Sequence, residues 1–199
     1  MPKTKVKGKK KLVYNIIAPK IFKNIVIGKT LASDPNSLIG RTLVVNLMSL
    51  TDNVKSQSIN VKFRINKVEK DNAHAIIIGY EMVPPSVKRV VRRGRDRIDL
   101  SSSCITSDKI KVRVKPLLIT KSKSKGSVLT TLRRTTSKLL KKYISSKKYN
   151  EFVKELINHK LQDNIKSQLN KIYPLRICEI RVMEIEKTKE VKTNAKASN

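Results

Sequence analysis

The segments SINVKFRINKV (58–68) and AHAIIIGYEMV (73–83) place apolar side chains at strand spacing, and the polar stretch EKDN at 69–72 separates them. Two such runs around a short polar turn predict a β-hairpin. Strands are also predicted over Leu12–Ile17, with a turn at Ala18-Pro19, over RTLVVNLMSL (Arg41–Leu50), and near Arg97–Thr106. In KIKVRVK (109–115) alternation is strict: Lys109, Lys111, Arg113 and Lys115 fall on one face, Ile110, Val112 and Val114 on the other. Successive strand side chains point to opposite faces, so a strand over 109–119 packs one face on a core and presents a row of cations on the other. An edge strand using lysine against aggregation is the alternative account of the pattern. A last strand, LRICEIRVMEI (Leu175–Ile185), follows Pro174.

The period becomes helical in SVLTTLRRTTSKLLKKY (127–143), with Ser127 expected as N-cap. Val128, Leu129, Leu132, Leu139, Leu140 and Tyr143 form one arc, and Arg133, Arg134, Lys138, Lys141 and Lys142 lie outside it. Pro84 and Pro85 open a shorter helix. Two more are predicted near 149–159 and 161–172, the last stopped by Pro174. Mostly antiparallel strands with helices inserted before the final one predict an α+β fold, its C-terminal strand returning to complete a sheet or barrel. No internal repeat and no long Pro- or Ser-rich linker divides the chain. Residues 12–187 therefore read as one α+β domain between a basic flexible arm (1–11) and a mobile tail (188–199).

Charge changes what these elements are for. The 199 residues hold 45 Lys and Arg against 15 Asp and Glu, a formal +30, with 39% apolar residues to build a core. A compact state this cationic repels itself, so its working form needs a partner that supplies negative charge: nucleic acid, an anionic membrane or an acidic protein. Residues 1–150 carry 35 cations and 8 acids, whereas 151–199 carry 10 and 7. Between residues 88 and 97, Lys88, Arg89, Arg92, Arg93, Arg95 and Arg97 surround one acid, Asp96. From Lys109 to Asn150 there are 14 cations and no acid, including Lys121, Lys123 and Lys125 of the loop KSKSKG. Solvated surfaces interleave both signs, so an acid-free run of this length reads as a contact surface. The arm adds Lys7, Lys9, Lys10 and Lys11.

No apolar stretch of about 18 residues is present, the basic helix lacks Trp or Phe anchors, and the N-terminus leads into no apolar signal core, so no membrane partner is expected. Cys104 and Cys178 read as buried reduced thiols of a cytoplasmic protein. Catalytic patterns are missing. IGKT at 27–30 lacks the glycine that a phosphate loop needs five residues before Gly28, where Lys23 stands. His74 and His159 are far apart, His159 being placed to cap helix carbonyls, and no C-x-x-C suggests zinc. Asp96 and Asp99, set among arginines, are expected to orient guanidinium groups. No cofactor, metal or catalytic residue is expected. Aromatics are 4% of the chain, with Phe63, Tyr143 and Phe152 on apolar arcs, too few to stack unpaired bases. No groove-reading motif is visible. The remaining partner is a structured RNA, its phosphates contacted by Lys and Arg from strand, loop, helices and arm.

Five blocks occur in one order: YNIIAPKIF (Tyr14–Phe22), IGKTLASD (Ile27–Asp34), LIGRTLVVNLMSL (Leu38–Leu50), RDRIDLSSSCITSDKIKVRVKPLLIT (Arg95–Thr120) and KIYPLRICEIRV (Lys171–Val182). Over about residues 10–187 they resemble the archaeal and eukaryotic small-subunit ribosomal protein family S3Ae, also written eS1. The most specific parts are Ile172-Tyr173-Pro174-Leu175 and Tyr14, Ala18-Pro19 and Phe22, while Val13 stands where the family usually carries Trp. The chain's shortness suggests the archaeal type. The resemblance implies a non-catalytic component of the small ribosomal subunit, on its platform near the messenger exit and the 3′ end of the rRNA. It also implies a β-barrel-like core flanked by three or four helices. The implied partners are small-subunit rRNA and neighbouring ribosomal proteins, with mRNA and initiation factors as further candidates, the latter for the near-neutral 151–199 region. An RNA-modifying enzyme with a basic groove is the competing class.

If about 6–10 phosphates are neutralised, affinity for isolated small-subunit rRNA falls by roughly 10³–10⁵ between about 50 and 200 mM salt. Filter binding at stepped salt measures this, and a flat response would count against phosphate recognition.

Overall fold

The structure, a computed structural model, describes residues 11–186. The basic arm and the tail expected at the two ends lie outside that range except for Lys11. Strand β5 (Asn72–Met82) organises the sheet, because its two edges are used differently. One edge takes β4 (Ile59–Glu69) as the expected hairpin, through a tight turn in which Lys70 adopts a φ of 51°. The other edge is divided. At its start β1 (Leu12–Ile17) runs parallel to it as far as Ile17↔His74, and at its end β9 (Leu175–Ile185) runs antiparallel from Gly79↔Glu184. In the gap, Tyr149 opens helix α4 (Tyr149–Ile157) and donates its phenol O–H to the carbonyl of Ile77 at 2.9 Å. A carbonyl buried without a strand partner must find another donor, and Tyr149 provides it.

Beyond β9 comes β8 (Lys111–Thr120), whose far edge is shared by β7 (Ser102–Ile105) and β6 (Arg97–Asp99). At the opposite end β2 (Val26–Ala32) pairs with β1, and β3 (Thr42–Asn46) pairs with β4. The nine strands form one open, branched sheet, antiparallel except for β1 with β5. It does not close into a barrel: among the described residues β2 and β3 each have a strand partner on one edge only. The α+β class and the returning C-terminal strand are as expected; the barrel-like closure is not.

Helices α3 (Gly126–Ser145), α4 and α5 (Lys160–Leu169) cover one face. Leu132, Leu140 and Ile144 of α3, Phe152 and Leu156 of α4, and Leu161, Ile165 and Leu169 of α5 join one core with Phe63, Tyr80, Val112, Val114, Ile180 and Met183. Alternation does this work in β4, where Ile59, Val61, Phe63 and Ile65 are buried and the residues between them are not. Phe63 also meets Phe22 edge-to-face, ring centres 6.0 Å apart. Helix α2 (Pro84–Val90) packs Val87 on Met82 and Leu117 in a smaller cluster. Cys104 and Cys178 are buried and unpaired, and burial pushes the Cys178 thiol up to about 12.

Several boundaries differ from expectation. Strand β2 was not anticipated: VIGKTLA carries a glycine and no clean period. The strand expected over Arg41–Leu50 stops at Asn46, and the chain turns into α1 (Met48–Thr51). Arg97–Thr106 splits into β6 and β7. Ser127 is not a cap, since α3 begins at Gly126 after Lys125 and no side chain caps it. β8 has strands on both sides and is no edge; Val112 and Val114 are buried, Lys111 and Arg113 exposed. Lys109 precedes it in a turn at φ 59°.

Tyr149→Phe keeps the ring but strands the buried Ile77 carbonyl, and should destabilise the fold by about 1–3 kcal/mol. Urea unfolding measures it as a lower midpoint at unchanged slope.

Candidate nucleic-acid interface

Two basic segments, 88–97 and 121–125, separated by more than twenty residues, lie side by side at the end of the sheet where β8 finishes and β6 begins. Asp96 holds them there. Its N–H donates to Thr120 Oγ1 (2.9 Å), and its carbonyl accepts from the Thr120 N–H (3.1 Å). Its carboxylate Oδ2 then accepts from the backbone N–H (2.6 Å) and hydroxyl (3.1 Å) of Ser124, inside KSKSKG. From the other side the Tyr173 hydroxyl lies 2.8 Å from Ser122 Oγ and donates to the Lys123 carbonyl (3.0 Å), while the Lys121 N–H donates to the Pro174 carbonyl (3.0 Å). The loop is thus tied at three points, and Asp96 serves it rather than the arginines. Asp99 does meet arginines, Arg97 at 2.6 Å and Arg181 at 3.8 Å.

Around this clamp Arg92, Arg93, Lys121, Lys123 and Lys125 are exposed and have no ion-pair partner among the described residues. Arg95 is half-buried, with its Nη1 enclosed and lacking a hydrogen-bond partner among the described residues. Gly94, between Arg93 and Arg95, has a φ of 80°, a conformation that L side chains resist. α3 starts at the end of the Lys loop and carries Arg133, Arg134, Lys138, Lys141 and Lys142 on its exposed side. Lys88 and Arg89 are exposed on α2, and Lys11 is exposed before β1. Lys7, Lys9 and Lys10 lie outside the described residues.

The sheet face away from the helices behaves differently. Lys111 (2.9 Å) and Arg113 (2.6 Å) both pair with Glu186, which also accepts from the Ser103 hydroxyl at 2.6 Å. These hydrogen bonds, from Ser103 first and then Lys111 and Arg113, hold the Glu186 carboxyl at about 2. Farther along, Lys62 spans Glu81 (2.9 Å) and Glu184 (3.4 Å), crossing Gly79, where an added Cβ would come within 3.3 Å of the Lys62 Cβ. Signs alternate here, so this face is locally neutral. Lys115, the next in the row, is half-buried without an ion pair among the described residues.

His159 does not cap carbonyls. It precedes α5 at φ 58°, and its Nδ1 lies 3.5 Å from Glu179 Oε2; the nearby carboxylate raises the imidazole pKa against the lowering effect of burial. Among the described residues no three His, Cys, Asp or Glu side chains gather as metal ligands, and no helix is long and apolar enough to cross a membrane. The arginine and lysine runs were visible in the chain. The Asp96–Ser124 and Arg113–Glu186 contacts, linking residues 28 and 73 apart, had no local signal.

Known proteins share this sequence pattern. The Ribosomal S3Ae family matches residues 2–189. Similar chains include the small ribosomal subunit proteins eS1 of Methanopyrus kandleri, 34% identical over 90% of this chain and 87% of the relative, and of Methanothrix thermoacetophila, 33% over 90% and 85%. That of Sulfurisphaera tokodaii is 33% identical over 97% of this chain and 98% of its own.

The Glu186 carboxyl is held below its ordinary value of 4.5, so its contribution to stability is present above that value and is lost as pH falls through about 2. Glu186→Gln should therefore lower the melting temperature at pH 7, the deficit shrinking on acidification and vanishing below pH 2. Thermal scans of both proteins across that range check it.

Proposed function

The chain belongs to the ribosomal S3Ae family and is a structural protein of the small ribosomal subunit, not an enzyme, and from this premise we propose that it clamps rRNA by its phosphate backbone. The composite surface of Arg92, Arg93 and Arg95 with Lys121, Lys123 and Lys125 is the centre of the contact, continued by the exposed cations of α3. The observation that carries this reading is the double hydrogen bond from Ser124 to Asp96. It holds two like-charged loops together, an arrangement that gains only when a polyanion lies across both.

Arg95 adds to the argument. Its enclosed guanidinium N–H without an acceptor costs free energy, so turning that group outward to a phosphate would trade an unsatisfied donor for a charge-assisted bond. Lys111 and Arg113 share their charge with Glu186 and contribute less than their place in the sequence suggests. Lys7, Lys9, Lys10 and Lys11 extend the contact from the N-terminal side, and Lys88, Arg89, Arg97, Lys109 and Lys115 border it. In this reading residues 12–187 act as one RNA-binding domain in the cytoplasm, on the subunit platform near the messenger exit, beside neighbouring ribosomal proteins.

Arg92, Arg93, Lys121 and Lys123 replaced together by Gln should reduce the salt slope of rRNA binding by about 3–4, one phosphate contact each. Stability should move by no more than about 0.5 kcal/mol per site, because these side chains are exposed and have no ion-pair partner among the described residues. Filter binding, sucrose-gradient sedimentation of the tagged variant and a thermal melt separate the effects. Equal loss of folding and binding would show that these cations serve the fold instead.

A further inference from the structure

Among the described residues strand β2 pairs with β1 alone, and no strand lies on its other edge. Among the described residues a single group bonds to it from outside: the Arg41 guanidinium donates to the Leu31 carbonyl (3.1 Å) and the Thr30 hydroxyl (3.1 Å), leaving Val26–Lys29 open. Free edges are normally blunted by proline, several charges or a covering element. β2 has no proline and one charge, Lys29. Its solvent face carries two apolar side chains, Leu31 and Val26, on either side of Lys29, which lies across from Asn15. Leu31 (56% exposed) lies across from Val13 (54%), and Val26 (54%) lies across from Ile17. At Gly28 an added Cβ would meet nothing within 4 Å, so no neighbour crowds that face of the strand.

Polarity and charge select the occupant. RNA would set phosphates against Val13, Val26 and Leu31 and gain in return Lys29 and an Arg41 already engaged by Leu31 and Thr30. A second copy of this chain would bring its own Lys29 to the same edge. Residues 1–10 hold five lysines and no acid, and would likewise repel Lys29. An extended segment of a different protein fits on each count. Its main chain would bond the open edge, its apolar side chains would cover Val26 and Leu31, and an Asp or Glu would face Lys29. We propose that the free edge of β2 receives such a strand from another protein of the small ribosomal subunit.

The test places a photoreactive benzophenone side chain at Leu31 in the full-length tagged chain. Small subunits containing the chain are isolated and irradiated. The expected product is an adduct to one other protein that survives ribonuclease. Its yield should fall about fivefold with Lys29→Glu and persist with Lys29→Arg. A ribonuclease-sensitive adduct, a dimer of this chain, a link to its own residues 1–10, or no adduct in subunits that contain the chain would overturn the proposal. Entry into subunits is scored separately by sedimentation, so a loss of RNA binding and a loss of the strand contact are read apart.

Discussion

The carboxylate of Asp96 accepts two hydrogen bonds from one serine, and the cationic end of the molecule is arranged around that acceptor. Each pair of unit charges held about 8 Å apart in water repels by roughly 0.5 kcal/mol, and several such pairs accumulate when two basic loops are placed together. A hydrogen bond to a charged group contributes about 1.5–3 kcal/mol, so the two bonds from Ser124 are of the size needed to oppose that repulsion. Tyr173 and the Pro174 carbonyl, from the turn between α5 and β9, secure the same loop from behind. The Ile172-Tyr173-Pro174-Leu175 block that carries the family resemblance thus has a mechanical role, bracing the basic loop against the sheet.

Charge is sorted by location. On the sheet face, Glu81, Glu184 and Glu186 alternate with Lys62, Lys111 and Arg113, and the alternation keeps that face near neutrality. Along α3 there is no acid, and at the end of the sheet Asp96 is taken up by Ser124 and Asp99 by Arg97 and Arg181, which leaves Arg92, Arg93, Lys121, Lys123 and Lys125 without an acid partner among the described residues. The unpaired cations of the clamp and of α3 are therefore grouped among the described residues, and a group of like charges attracts an approaching polyanion to that part of the surface.

What could be read from the chain follows from how local each cause is. The β4–β5 hairpin was legible because turn and alternation are contiguous, and β9 because Pro174 marks its start and every buried residue lies within one run. β2 was not, since an edge strand with Gly28 near its middle and a half-exposed face has no period to display. Asp96 was read by its neighbours in sequence, all arginines, whereas its hydrogen-bond partner is 28 residues away. The same limit hid Glu186 from Lys111 and Arg113. Alternation told which side of β8 they occupy, not what they would find there.

Among the described residues β9 is the sole strand joining two halves of the sheet: β1 to β5 lie on one side of it, β6 to β8 on the other. Synthesis proceeds from the N-terminus, so a growing chain exposes the seams of both halves until residues 175–185 leave the exit tunnel. Closure is thus a late, long-range event, and the nascent protein would need shielding by a chaperone or by the RNA itself until its last strand arrives.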